Sequence, residues 1–146
     1  MFFDRNYRDS GLMIYKFNPS TVHEPDGYSH VTISSSGRLA HLAGQCPVGI
    51  AGEVVGEPGD YDAQTAQVIT NCLAVLAAAG AAPADVVRSV VYVVSADSAV
   101  LSSVWRQLTA SPLAEAFSTA STLLGVASLG YQGQLVEIDL TAALPD

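Results

Sequence analysis

The chain has 146 residues, of which 49% are hydrophobic and 14% are charged, and its formal net charge is −8. This length predicts one domain, and the scattered lysines and arginines of an acidic chain argue against a nucleic-acid-binding surface. Cys46 and Cys72 lack the paired spacing of a metal site or a disulfide framework. No apolar run reaches the roughly 18 residues of a membrane span, so no membrane association is expected.

The N-terminal segment MFFDRNYRDSGLM interrupts its apolar start with Asp4 and Arg5, so no signal peptide is expected. Met13 begins a more regular segment, and residues 1–12 are interpreted as an extension in front of a single domain over residues 13–146. Thiols without a disulfide pattern fit a reducing compartment, which predicts a cytoplasmic protein.

The first half of the chain predicts β-strands separated by irregular segments. A short strand is indicated over residues 14–17. Residues 29–44 predict a hairpin, because apolar residues alternate on either side of a possible turn at Ser36-Gly37. Residues 46–59 are rich in glycine and proline and predict a loop.

The second half predicts two helices and three strands. A helix is expected from Asp60 to Ala79, because apolar residues recur every three or four positions and glycine and proline follow. Residues 85–95 predict a strand of mostly valine, and residues 97–110 predict a second helix with one apolar side. Residues 121–140 predict two strands joined by a turn, the last strand over residues 135–140.

The order of these elements, β-β-α-β-α-β-β, predicts an α+β fold with a single sheet and both helices on one face. The opposite face would stay bare, yet the strand over residues 85–95 is apolar on both sides. A bare apolar face predicts contact between subunits, so we expect an oligomer.

An acidic residue, Glu137, interrupts the last apolar strand, and no lysine or arginine follows Arg106. Glu137 can be a half-exposed strand position, a catalytic acid or base, or a residue without a role. Strand alternation sets Glu137 and Asp139 on one face, with Val136 and Ile138 on the face toward the helices. We therefore expect Glu137 on the face where subunits meet.

Four segments carry a family resemblance: GYSH at 27–30, LAGQCPV at 42–48, QTAQVITNCLAVLAAAGAAPADVVRSVVYV at 64–93, and GVASL with GQLVEID between 125 and 139. They resemble the Rid family of reactive imine deaminases, also called YjgF-type proteins or L-PSP endoribonucleases. The resemblance extends over about residues 14–143. It implies a chorismate-mutase-like fold and a homotrimer whose sheets form an inner barrel with the helices outside.

The resemblance also implies an activity. In clefts between subunits, enamines and imines such as 2-aminoacrylate are hydrolysed to 2-keto acids and ammonia, with neither a metal nor a cofactor. The reaction needs a hold on the substrate, a positioned water and a group that transfers protons. By the resemblance, Glu137 orients the water, and Tyr28 and the Gly44-Gln45 turn complete the pocket. Asn71, in the first predicted helix, is expected to bond the backbone.

Three positions depart from the family pattern. The arginine that grips a substrate carboxylate corresponds to Ser121, a frequent cysteine to Leu123, and a frequent serine to Ala43. A hydrogen bond to a charged group is worth roughly 1.5–3 kcal/mol, and serine offers only a neutral one, so imines of standard amino acids are not expected as substrates. Three other arginines remain as alternative partners for an anion: Arg38, Arg88 and Arg106. Of these, Arg106 is expected to be exposed to solvent.

Two functions therefore remain open. The first is a hydrolase or deaminase of a small imine, enamine or related compound at clefts between subunits, with Glu137 as its catalytic residue. Its substrate-binding residues would be Tyr28, Gly44, Gln45, Ser121 and Leu123. The second function is a non-catalytic trimer that binds a small molecule or a partner protein. The acidic net charge disfavours a ribonuclease.

Overall fold

The computed structural model describes residues 5–7, 13–35 and 37–145. Its strands lie in two sheets. The first sheet has three antiparallel strands: β1 (Arg5–Tyr7), β2 (Met13–Phe17) and β3 (Val31–Ser34). The second has the order β4-β7-β5-β6 and comprises β4 (Leu39–His41), β5 (Val86–Val93), β6 (Ala120–Gly125) and β7 (Val136–Ala143).

Two α-helices within the described residues match the predicted ones to within a residue at each end. In α1 (Tyr61–Ala78), the side chain of Asp60 accepts a hydrogen bond from the backbone N–H of Ala63 at 2.9 Å. In α2 (Ser98–Thr109), Asp97 accepts one from Ala99 at 2.9 Å. Both acids satisfy an N–H group that the first helical turn leaves without a partner, so the helices begin where these residues stand.

The hydrophobic core lies between the helices and one face of the four-stranded sheet. Along β7, Val136, Ile138 and Leu140 are buried and alternate with half-buried residues, which confirms the predicted alternation. They join a cluster of buried side chains from the helices, β5 and the turn before β6: Leu76, Val91, Val93, Leu108 and Phe117.

The α+β class is confirmed, but the predicted single sheet and first hairpin are wrong. β3 pairs with β2, and β4 pairs with β7. β3 and β4 do not pair with each other because the segments next to them contact different edges of the second sheet. Ser29, just before β3, donates to the carbonyl of Thr119 at the beginning of β6, whereas Leu42, just after β4, donates to Leu140 at the outer edge of β7. The segments thus meet opposite edges of the second sheet. Ser36, in the predicted turn, lies outside the described residues.

The predicted hairpin over residues 121–140 is also wrong, because β5 lies between β6 and β7. β6 runs parallel to β5, and β7 runs antiparallel to it. The parallel pairing follows from the crossover through α2, which returns the chain to the edge of β5 in the same direction. A valine-rich strand suits this central position, where both of its edges are paired.

The division into an extension over residues 1–12 and a domain over 13–146 stays a prediction. Within the former, Arg5–Tyr7 form β1, and the backbone of Arg5 lies opposite Tyr15. The subunit interface also stays a prediction. The sheet face away from the helices carries side chains that are half-buried in the single chain: Val90, Tyr92, Glu137 and Asp139. Neither described helix has the length and apolar character that crossing a membrane requires.

Gln64 fastens the connection between β6 and β7 to α1. This buried side chain donates to the carbonyl of Gly133 at 2.8 Å and accepts from the N–H of Leu135 at 2.7 Å. We expect Gln64→Ala to lower the free energy of unfolding by about 1–3 kcal/mol, because two backbone groups lose their partners. Urea unfolding measures this. Thr70→Ala, on the exposed side of the same helix, should change stability by less than about 0.5 kcal/mol; equal effects of both substitutions would contradict the assignment.

Candidate functional site

The Gly44-Gln45 turn lies along the edge of β7 that faces away from β5, just past the residues that pair with β4. Gln45 exchanges two backbone hydrogen bonds with Ile138, at 2.7 and 3.1 Å, and Leu42 donates to Leu140 at 3.0 Å. These bonds continue the pairing of β4 past its end. They bring residues 43–46 beside Glu137, which lies opposite Tyr92 of β5 on its other side.

Gly44 lies directly against the carboxylate of Glu137. A β-carbon at this position would lie 2.8 Å from Cδ and 2.9 Å from Oε2 of Glu137. Atoms joined by no bond do not approach so closely in proteins, so any larger residue would displace the carboxylate. The glycine is needed here for space, since its φ angle is not positive.

Cys46 and Gln134 hold the other carboxylate oxygen. The Cys46 thiol donates to Oε1 of Glu137 at 2.9 Å, and the amide of Gln134 donates to the same oxygen at 3.4 Å. Burial, and then the adjacent Glu137, raise the pKa of Cys46 to about 11. The thiol is therefore protonated at neutral pH, so it acts as a hydrogen-bond donor and not as a nucleophile.

Asn71 fixes the segment that carries Cys46. Its side-chain amide donates to the carbonyls of Cys46 and Val48, at 2.9 and 3.0 Å, and its oxygen accepts from Gln67. The prediction that Asn71 bonds the backbone is confirmed. The helix α1 thereby sets the distance between this segment and β7.

A second group of predicted residues lines a separate cleft of about 550 Å³. Three of them are there: Tyr28, Ser121 and Leu123. The other lining residues come mainly from α2: Asp26, Ser102, Trp105, Arg106 and Thr122. Arg106 is exposed, as predicted, and it nonetheless contributes to this cleft.

The hydroxyl groups of Ser121 and Tyr28 already have protein partners. Ser121 exchanges a hydrogen bond with Ser89 and contacts the carbonyls of Phe117 and Thr119 at 3.0 and 3.1 Å. The hydroxyl of Tyr28 lies 2.8 Å from Nε2 of His23. These hydrogen bonds to other protein groups therefore help to fix the orientation of Ser121 and Tyr28.

The two groups face opposite sides of the sheet. Ser121 pairs with Ser89 of β5, and Glu137 pairs with Tyr92 of the same strand. Positions separated by an odd number along a strand project to opposite faces, so Ser121 and Glu137 do not meet within one chain. The structure thus brings Gly44 and Glu137 together, brings Ser121 together with Tyr28 and Leu123, and separates the two sets.

Several contacts were not predicted from the sequence. His23 carries no pattern that would have indicated its contact with Tyr28. Cys46 and Gln134 could have been suspected, because each is separated by only a few residues from a predicted site residue, but the contact with Glu137 depends on strand pairing. Among the described residues, no cluster of three or more histidine, cysteine or acidic side chains is arranged to hold a metal ion.

Comparison with known proteins finds a family model and solved structures that match this chain. The family model described as endoribonuclease L-PSP matches residues 21–144. A solved structure of YyfB, a protein of unknown function in the conserved Rid family from Yersinia pestis, is 41% identical with a TM-score of 0.80; the match covers 90% of this chain and 98% of that one. Curated protein sequences give no match.

Two further solved structures share lower identity. YyfA, also a Rid family protein of unknown function from Yersinia pestis, is 25% identical with a TM-score of 0.61, over 80% of this chain and 87% of that one. RidA from an Antarctic Psychrobacter species is 27% identical with a TM-score of 0.58, over 84% and 92%.

The contact between Cys46 and Glu137 predicts that the Cys46 thiol ionises at a higher pH than an ordinary thiol, and alkylation measures this. Because the raised pKa keeps the thiol protonated, the alkylation rate of Cys46 by iodoacetamide should still rise about tenfold per pH unit near pH 10. Glu137→Gln removes a negative charge, so its rate should level off at lower pH. Cys46→Ser supplies the background from Cys72, whose pKa burial raises to about 12. A wild-type rate that levels off near the ordinary pKa of 9.0 would contradict the contact.

Proposed function

The chain belongs to the endoribonuclease L-PSP family, and we propose that it hydrolyses a small imine or enamine to a carbonyl compound and ammonia. The observation that carries this proposal is the carboxylate of Glu137, held between Gly44, Cys46 and Gln134. We propose a cytoplasmic protein that acts on a small molecule and not on nucleic acid.

Glu137 has the contacts that a water-positioning base needs. Two donors hold Oε1, and Oε2 lies against Gly44, which has no side chain of its own. A water bonded to the carboxylate can attack the carbon of the C=N bond while Glu137 takes its proton. The C–O bond forms as the C=N electrons move to nitrogen, and the protonated Glu137 then gives its proton to this nitrogen, which produces a carbinolamine. Glu137 next transfers the hydroxyl proton of the carbinolamine to the nitrogen, so that ammonia leaves as the C=O bond forms and the carboxylate is restored.

Cys46 supports this role as a positioning residue. A protonated thiol beside the carboxylate fixes its orientation and does not compete for the substrate as a thiolate would. A cysteine with a low pKa at this position would attack the electrophilic imine carbon directly. The raised pKa therefore favours hydrolysis by water over covalent catalysis.

We propose that the complete site forms between subunits of a homotrimer with an inner barrel. The cleft with Tyr28, Ser121 and Leu123 opens on the side of α2, whereas Glu137 projects from the opposite face of the sheet. One ligand can contact both groups only if two chains contribute them. A ring of head-to-tail contacts supplies such a pairing at every interface.

A binding protein without turnover is the second candidate. The observation that favours it is the engaged hydroxyl of Ser121, which is already bonded to Ser89 and to backbone carbonyls. By the resemblance, this serine stands where the family has an arginine. Such a side chain adds little to the binding of a charged substrate. This candidate predicts that ligands raise the melting temperature and that no ammonia is released.

The proposal is tested by ammonia release from imines that are generated in the assay. Glu137→Gln should lower kcat by at least about a hundredfold, because it removes the base and keeps the shape. Gly44→Ala should also lower the rate, since its methyl group displaces the carboxylate. Glu57→Gln, an exposed carboxylate in a loop, is the matched control and should keep full activity. Full activity of Glu137→Gln would exclude this mechanism.

Coexpression of two inactive variants tests the shared site. Glu137→Gln removes the carboxylate, and Ser102→Trp fills the cleft from an exposed position on α2. In a mixed trimer one of the three interfaces combines two intact halves, so activity of purified mixed trimers should return to about a third of wild type. No return of activity in purified mixed trimers, or a particle smaller than three 15.2 kDa chains in sedimentation, would contradict the shared site.

A further inference from the structure

An arginine lines the cleft beside α2. This residue is Arg106, which carries its guanidinium in the last turn of α2. Within the part of the chain that the structure describes, this guanidinium forms no hydrogen bond or ion pair with another side chain. By contrast, Arg88 donates to the hydroxyl of Thr122 at 2.8 Å. Arg106 is thus the arginine of this cleft that is free to bind a ligand.

The other lining residues suit a small organic anion. Trp105 and Leu123 offer apolar surface, and Ser102 offers a hydroxyl group. Trp105 is supported from behind by an edge-to-face contact with Phe117, whose ring centre lies 5.7 Å away. A planar guanidinium next to such a surface binds a carboxylate through two parallel N–H bonds.

We infer that Arg106 binds the carboxylate of the ligand, and that this carboxylate is several bonds away from the reacting carbon. The reason for this separation is the difference in solvent exposure between Ser121 and Arg106, which line the same cleft. Ser121 is half-buried on the sheet, whereas Arg106 is exposed on the helix and is therefore the nearer of the two to solvent. A carboxylate bound by Arg106 lies toward solvent while the rest of the molecule reaches inward. This selects an imine with a remote carboxylate over an imine of an α-amino acid.

Asp26 allows a test of whether charge governs the affinity for the ligand, because its charge is opposite to that of Arg106. It is the carboxylate among the cleft's lining residues, and it is exposed. A negative charge on the ligand is attracted by Arg106 and repelled by Asp26. Neutralising these two residues must therefore change the affinity for a monoanion in opposite directions, whereas general damage to the cleft would weaken binding in both variants.

The inference rests on the proposed function for the identity of the reacting group, but the carboxylate contact is measured by binding alone. Trp105 is the single tryptophan of the chain and lines the cleft, so its fluorescence reports occupancy. The probes are levulinate, a keto acid with a remote carboxylate; pyruvate, in which carboxylate and ketone are adjacent; and methyl propyl ketone, the uncharged analogue of levulinate.

Wild type should bind levulinate more tightly than either pyruvate or methyl propyl ketone. Arg106→Gln should weaken levulinate binding about tenfold and leave methyl propyl ketone binding unchanged, because the contact is charged but exposed. Asp26→Asn should tighten levulinate binding. Arg38→Gln, an exposed arginine outside the cleft, is the control and should have no effect. Added salt should reduce the wild-type preference for levulinate.

Three results would overturn the inference: no preference of wild type for levulinate over the neutral ketone, unchanged levulinate affinity in Arg106→Gln, or tighter Arg106-dependent binding of pyruvate. The ammonia assay distinguishes these failures from failure of the proposed function. Ammonia release that persists in Arg106→Gln rejects the arginine contact and retains the hydrolase. Arg106-dependent binding without ammonia release retains the contact and rejects the hydrolase.

Discussion

The pairing of residues 42–46 with the outer edge of β7 is the constraint on which the candidate site depends. Two backbone bonds between Gln45 and Ile138 set the register, and the amide of Asn71 holds the next residues from the helix side. In this register, Gly44 and Cys46 both face Glu137. A shift by one residue would turn a different set of side chains toward the carboxylate, because neighbouring positions of an extended chain point to opposite faces.

The central position of β5 has the largest consequence for function. This strand separates β6 from β7, and its pleat sends Ser121 and Glu137 to opposite faces. One face is filled by the core, and the other is half-buried with acidic and apolar side chains. Under the proposed function, these two groups are the halves of one site. Joining them across subunits would couple assembly to activity, since neither half alone surrounds a ligand.

The electrostatic character of the site differs between these halves. Near Glu137, the thiol of Cys46 and the amide of Gln134 add hydrogen bonds without adding positive charge. In the cleft, the serine on β6 is neutral and bonded to the protein, and positive charge comes from α2 instead. A guanidinium on an exposed helix is screened more than one on the sheet. Under the proposed function, such a guanidinium contributes less affinity for an anion than one on the sheet would.

The sequence by itself determined the local features of this protein. It predicted both helices to within a residue, because aspartate caps and apolar periodicity are read from neighbouring positions. It also predicted the alternation along β7 and the bonding of Asn71 to backbone. The order of the elements predicted the α+β class, and the four-segment resemblance predicted the family. The roles of the site residues stay predictions.

Only the tertiary structure decided which strands pair and which side chains meet. Both predicted hairpins were wrong, because strands adjacent in sequence took partners on opposite edges or on either side of β5. The contacts of Cys46 with Glu137 and of His23 with Tyr28, and the presence of Arg106 in the cleft, likewise depend on how the elements pack. Local propensity carries no information about such pairings, because their free energy comes from groups far apart in the chain.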